Sequence, residues 1–265
     1  MRSRDPLMSL RATLEDLHAR YHRPEFIRSD PLAFVHAFRD PGDREIVGLI
    51  AASLAYGNVK TIHASIRSVL ERLEHRPRDV LLSSPDRVLR RALRGFRHRW
   101  TDARSMESLL AGIRNAVLEH GTLGQAFYAV DTGDPDVRGP LAAWVRRLTP
   151  RRDPPVRNLL ADPEAGSACK RLFLFLRWMA RHDDIDPGGW PGLSPARLKV
   201  PLDTHMFAFA RAHRMTRRTS ADARAVDEIT AVFRRICPED PVRYDFALTR
   251  PGILRQPGAA PSAWA

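Results

Sequence analysis

Lysine is nearly absent from this chain. Lys60, Lys170 and Lys199 are the only three among 43 basic residues, the rest being arginine. Cysteine is scarcer still: Cys169 and Cys237 stand alone. Two thiols cannot form a four-cysteine iron–sulfur or zinc site, and they do not suggest a secreted disulfide framework. No apolar run reaches the roughly 20 residues that cross a bilayer. The opening MRSRDPLMSL lacks the apolar core of a signal peptide. These absences predict a cytoplasmic protein. Alternating strand patterns are few, and Asn-Gly or Asp-Gly hairpin signals are missing. Internal repeats and low-complexity tracts are missing too.

What is present is an ordinary globular composition with an unusual charge. Of 265 residues, 43% are hydrophobic and 28% charged, enough to bury a substantial core. The formal net charge is +12. Such an excess favours an anionic partner, nucleic acid first and an acidic membrane surface second. A proteome rich in arginine would give the same bias without any partner.

Helical spacing dominates. Leu10, Leu14, Leu17 and Tyr21 recur at helical intervals, as do Val59, Ile62, Ile66, Val69 and Leu73. Met106, Leu109, Leu110, Ile113 and Val117 repeat the pattern, and so do Val226, Ile229, Val232, Phe233 and Ile236. The chain therefore reads as all-α. Breakers interrupt it at DTGDPDVRGP (131–140), TPRRDPPVRN (149–158) and DPGGWPGLSP (186–195), and RQPGAAPSAWA (255–265) reads as a frayed tail. We expect one two-lobed helical domain over 1–254, with lobes at 48–165 and at 1–47 plus 166–254.

One lysine stands at the head of GSACKRLFLFLRWMA (166–180). Ser167 is a candidate N-cap, which places Lys170 at the third helical position. Between Leu172 and Met179 only Arg177 is charged, so most faces of this helix are expected to be buried. Burial and the positive potential of a helix N-terminus both favour a neutral amine. A neutral amine is a nucleophile, which a guanidinium cannot be. The competing reading is a lysine that snorkels to a carboxylate or phosphate. Lys60, on an amphipathic helix, needs only a solvated or phosphate-contacting role. Lys199 lies close before Asp203 and rivals Lys170 as the reactive amine. Asp203 itself opens a helix in KVPLDTHMFAFARAHRM (199–215), where it reads as an N-cap. A carboxylate pinned there can also take a proton or stabilise a developing cation.

The pairing of ACKRLFLFL with VPLDTHMFAFARAHRM resembles the helix-hairpin-helix DNA glycosylase superfamily, in which a lysine opening a buried helix precedes an aspartate in a (V/P)-x-D-T-H-x-x-R setting. Asp203, Thr204 and His205 match, and an arginine follows at 211. LIAASLAYGNVKTIHASI (49–66) resembles that superfamily's early helix–loop–helix, with Tyr56, Gly57 and Asn58 in the loop that reaches into DNA. The chain, including YDFALTRPGI (244–253), also resembles a bacterial family of uncharacterised proteins associated with the superfamily. The resemblance covers about residues 45–70 and 165–253. The phosphate-gripping hairpin LPGVGxKTA is replaced by PEAGSACK, WPGLSPARLK (190–199) being a faint alternative. The 33 positions from Lys170 to Asp203 are closer to the archaeal 8-oxoguanine glycosylase branch.

The resemblance implies a helical fold with a cleft between two lobes and a monomer acting on duplex DNA that holds a damaged or mismatched base. It implies catalysis by Lys170 and Asp203 with no metal or cofactor, and DNA contacts from Tyr56, Gly57, Asn58, Lys60, Arg171, Lys199 and His205. Lys170 would attack C1′, expel the base and leave a Schiff base that permits strand cleavage, with Asp203 taking the proton. Trp178 or Trp190 could stack on the extruded base, although core packing is the better reading of either. RVLRRALRGFRHRW (87–100), with Phe96 and Trp100 interleaved, suits phosphate contact or a solvated helix face. Two further readings remain. One is a metal-dependent phosphohydrolase using His182, Asp183, Asp184 and Asp186 with Asp203 and His205, His36 and His63 being available. The other is a basic helical protein that binds DNA or RNA without chemistry.

Overall fold

The computed structural model describes residues 6–149 and 158–254. The two outer segments and most of the TPRRDPPVRN stretch lie outside the described residues, including the tail expected at 255–265. Each helical repeat in the sequence becomes a helix that buries most of its repeating residues, with Tyr21, Val59 and Val232 only partly buried. α1 (Pro6–Tyr21) buries Leu10, Leu14 and Leu17. After a 3-10 helix at Pro24–Ser29 come α2 (Leu32–His36), α3 (Pro41–Ser53), α4 (Val59–Arg72), α5 (Pro77–Ser83) and α6 (Asp86–Ala92). A hairpin of β1 (Arg97–His98) and β2 (Thr101–Asp102) leads into α7 (Ala103–His120), α8 (Leu123–Tyr128) and α9 (Arg138–Leu148). The chain closes with α10 (Lys170–Ala180), a 3-10 turn at Pro195–Arg197, α11 (Thr204–Ala212), α12 (Ala223–Ile236) and α13 (Asp245–Leu254). The all-α expectation holds, and the short hairpin is the one sheet among the described residues.

Helix starts are set by short polar side chains that accept a hydrogen bond from an otherwise unpaired first-turn amide. Asp40, Asn58, Asp102, Thr122, Asp203 and Asp222 each do this, for α3, α4, α7, α8, α11 and α12. Such a cap contributes about 1 kcal/mol.

α3 is the axis of the molecule. Every residue from Glu45 to Ser53 is buried, and α10 packs along it. Gly48 allows that approach: a Cβ there would meet Met179 and Phe175 at 3.2 and 3.3 Å. The lobe boundary expected at 47/48 passes through this helix. Trp144 stacks on Phe175 with centroids 5.7 Å apart. Trp178 and Trp190 are also fully enclosed, at 0% and 2% exposure. Neither can stack on an extruded base; both are core residues, as their apolar surroundings in the sequence allowed. The Trp190 indole and the amides of Leu123 and Gly124 donate to the buried Glu45 carboxylate, which ties the 186–195 loop and the start of α8 to α3.

That loop turns back on α10 through Gly188, whose amide donates to Trp178 O at 3.0 Å, and Trp190, whose amide donates to Met179 O at 2.8 Å. α13 packs on both α1 and α11. No helix among the described residues is long and apolar enough to cross a membrane.

Candidate functional site

Lys170 is the first residue of α10, not the third. The residue before it, Cys169, is left-handed at φ 46° and ψ 33°, a conformation that costs an L-residue about 1–2 kcal/mol. Ser167 does not cap the helix; its hydroxyl accepts from the Cys169 amide at 3.3 Å. A bridge from Ser167 to Asp222 and a bond from the Ala223 amide to Gly166 O pin this turn to the start of α12. Lys170 is thus aimed from a fixed turn. Its amine is half-buried and makes, among the described residues, one long hydrogen bond of 3.4 Å to Ala55 O.

Asp203 caps α11, accepting from the Met206 amide at 2.7 Å, as its place in LDTHMF predicts. Lys170 and Asp203 do not form an ion pair, but both line one cavity of about 750 Å3. This lies within the range of small-ligand pockets, roughly 300–1,000 Å3. Thr204, His205 and Phe207 line it on the same side. His205 lies hard against Gly252 of α13, where a Cβ would come within 2.2 Å of Nδ1.

The opposite wall is the loop between α3 and α4. Ala55, Tyr56 and Gly57 line the cavity, and Asn58 caps α4 through the Lys60 amide. Gly57 is at φ +100°, and a Cβ on it would meet Arg99 at 2.9 Å. Arg171 braces this loop. Its guanidinium donates to Ser53 O at 2.8 Å and to Asn158 O at 2.5 Å, and it lies over the Tyr56 ring with Cζ 5.0 Å from the centroid. The expected DNA-contacting residues Tyr56, Gly57 and Arg171 therefore join Lys170, Asp203 and His205 at one cavity. Lys60 is exposed near the start of α4 and is not among the lining residues.

Lys199 stands elsewhere. Its ammonium sits between Asp136 at 2.7 Å and Asp227 at 2.8 Å, with the side chain 7% exposed. It does not line the cavity. Two carboxylates engage this amine, so its place is a buried ion pair that joins the segment before α9 to α12. The neighbouring Arg197 is likewise held by Asp131, leaving WPGLSPARLK a brace between loops.

Burial decides the floor. Arg177 on α10 is 2% exposed and binds Asp186 at 3.0 Å and also Asp245. Arg250 binds Asp30 at 2.8 Å and lies over Phe246. Asp30, Arg177, Asp245 and Arg250 all line the cavity. The Arg250 guanidinium holds the Asp30 carboxyl below its ordinary range despite the cost of burial. Asp245 goes the other way. Burial, together with the nearby Asp203 and Asp186 charges, outweighs Arg177 and pushes its carboxyl up to about 6. In the sequence Arg177 stands out only as the lone charge of a buried helix, and Asp245 in YDFALTR looks like one more helix start.

The cluster weighed as a metal site is engaged differently. Asp183 accepts from the Ile185 and Asp186 amides and pairs with His22 and Arg181. Asp186 is gripped by Arg177 and Arg181. His182 is bonded to Pro187 O and His36 to Ile185 O. Among the described residues no three His, Cys, Asp or Glu side chains converge as a metal-binding group. Asp203 and His205 line a different cavity from His182 and Asp183.

Residues 30–254 match a protein family described as "Protein of unknown function (DUF2400)". The chain belongs to that family. The match begins at Asp30 and ends at Leu254, so it takes in every residue named above as lining the Lys170 cavity. No curated protein and no solved structure matches the chain.

Proposed function

We propose that this protein is a DNA glycosylase with AP-lyase activity, acting on a damaged or mismatched base in duplex DNA with Lys170 as the nucleophile. The observation that carries the reading is the shared cavity: a sparsely engaged amine and a fixed carboxylate, Lys170 and Asp203, line it together. Lys199, the rival amine, is clasped by two aspartates outside it.

In this reading the extruded nucleotide enters the cavity, and the cost of unstacking it, a few kcal/mol, is least where pairing is already weak. The Lys170 amine forms a bond to C1′ as the glycosidic bond breaks and its electron pair leaves with the base. Asp203 accepts the amine proton and stabilises positive charge on the sugar. Ring opening gives a Schiff base, from which β-elimination breaks the strand on the 3′ side. The Tyr56–Asn58 loop occupies the space vacated in the duplex. Arginine-rich surfaces hold the phosphates without reading sequence. The two-lobed, helix-hairpin-helix-like arrangement belongs to this proposal. The described residues 158–169 before α10 are turns rather than a second helix, so the phosphate grip falls to other groups.

The test is to incubate the protein with duplexes carrying 8-oxoguanine, uracil or an abasic site, add borohydride, and look for a covalent adduct without added metal. Adduct with wild type and none with Lys170→Ala supports the reading. Binding to abasic DNA with no adduct under any condition overturns it and leaves a nucleic-acid-binding protein without chemistry.

A further inference from the structure

The β1–β2 hairpin carries the one large aromatic that the fold leaves in solvent among the described residues. Trp100 is 57% exposed, whereas Trp144, Trp178 and Trp190 are buried. Its partner in the two-residue turn, Arg99, holds φ +53°. Hairpin turns usually assign that conformation to glycine or asparagine, and an L-residue such as arginine is strained in it. A strained, exposed Arg-Trp pair is a poor choice for stability, and strain kept at a surface tip points to a use.

The tip is not loose. Tyr56 hydroxyl donates to His98 O at 3.0 Å and bonds Thr101 Oγ1 at 2.6 Å. The His98 ring donates from Nε2 to Tyr56 O at 3.1 Å, which leaves Nδ1 to accept from Ser65 Oγ at 2.9 Å. Burial keeps His98 below its ordinary value, which favours the neutral ring with Nδ1 as acceptor. Tyr56 then stacks on Trp100, with centroids 4.9 Å apart and planes at 23°. Arg99 lies over the same indole at 4.7 Å, and Arg171 lies over Tyr56. Four planar groups form a ladder whose inner rungs line the cavity and whose outer rungs face solvent.

The hairpin also joins two concave surfaces. Tyr56 belongs to the Lys170 cavity, while Gly95 and Ala103, at the two feet of the hairpin, line a second concavity of about 1,050 Å3 with Arg87, Arg91, Arg94 and Arg104. That surface is cationic, in a chain of net charge +12, and suits a phosphate backbone. We propose that the Arg99–Trp100 tip is a stacking platform for an unpaired nucleotide of DNA, with the adjoining phosphates led into the arginine-lined groove. A base can stack on an aromatic or a guanidinium plane regardless of sequence, because every base has a π-face. The inference rests on the nucleic-acid part of the proposed function, not on its chemistry.

The experiment measures full-length protein binding to two labelled duplexes of one sequence, one fully paired and one with a single bulged nucleotide. Stacking of one base is worth about 1–3 kcal/mol, so Trp100→Ala should bind the bulged duplex about 5- to 150-fold more weakly. Trp100→Phe should recover most of that loss, and the fully paired duplex should change little. The exposed site leaves folding intact, which a thermal melt of each variant verifies. Unchanged affinity of Trp100→Ala for the bulged duplex would overturn the inference, as would equal losses on both duplexes or a Phe variant as weak as Ala. Borohydride trapping on duplexes carrying 8-oxoguanine, uracil or an abasic site separates the two proposals. Adduct formation with no role for Trp100 sinks this one alone. Trp100-dependent binding without adduct sinks the glycosylase alone.

Discussion

Arg177 and Asp245 meet as a buried ion pair at the cavity floor, and the same guanidinium also holds Asp186. One cation is thus shared between two carboxylates, both almost wholly out of water. Removing it leaves Asp245 uncompensated, while Asp186 keeps Arg181; breaking a buried pair in this way typically costs about 3–5 kcal/mol. Arg177→Met is therefore expected to lower the urea midpoint by that amount of stability or to prevent folding. Asp245→Asn, which removes a charge the site already disfavours, should cost much less.

The same crowding makes stability depend on pH with a definite sign. Asp245 has a folded-state value of about 6 against an ordinary 3.8, so between those limits the folded protein binds more protons than the unfolded chain. Its contribution is fully present below about pH 4 and is lost as pH rises through about 6. Unfolding midpoints of wild type and Asp245→Asn, measured from pH 4 to 7, should converge or cross in that direction. A wild-type advantage that grows with pH over this interval would contradict the assignment.

Tyr56→Phe should loosen the hairpin without unfolding the protein. It deletes the hydroxyl that holds both His98 O and Thr101 Oγ1, a loss of about 1–3 kcal/mol if the partners stay buried. Amide exchange at residues 97–102 should quicken while exchange in α3 and α10 stays slow.

Two glycines predict unequal penalties. Adding a Cβ at Gly112 would place it 2.0 Å from the backbone oxygen of Leu148, whereas at Gly252 the obstacle is the His205 ring. A backbone cannot swing aside as a side chain can. Gly112→Ala should destabilise by at least about 2 kcal/mol by thermal unfolding, and Gly252→Ala by less. The latter should show its effect on DNA binding, because His205 must leave its position in the cavity wall.

Much of this fold was legible in the sequence, since helical period and burial are one phenomenon: α1, α4, α7 and α12 bury most of the residues whose spacing announced them. Asp203 was legible as a cap because capping is local. What failed was whatever depended on distant contacts. Ser167 looked like a cap, but the bridge to Asp222 draws it outward, and Cys169 takes a left-handed turn that no propensity favours. The hairpin escaped notice because two-residue strands have no period to read and its turn holds Arg-Trp rather than Asn-Gly. Trp178 and Trp190 read better as core than as stacking residues, and their burial agrees. Lys199 was separable from Lys170 only through Asp136 and Asp227, which approach it from 63 positions before and 28 after.

The central claim is that Lys170 is the reacting amine, and locating a borohydride-reduced adduct on the chain tests it most directly. After reduction on abasic-site duplex, digestion and mass spectrometry should find the sugar remnant on the peptide containing Lys170, with Lys60 and Lys199 unmodified. An adduct on either of those lysines, or none on any of the three, would contradict the account.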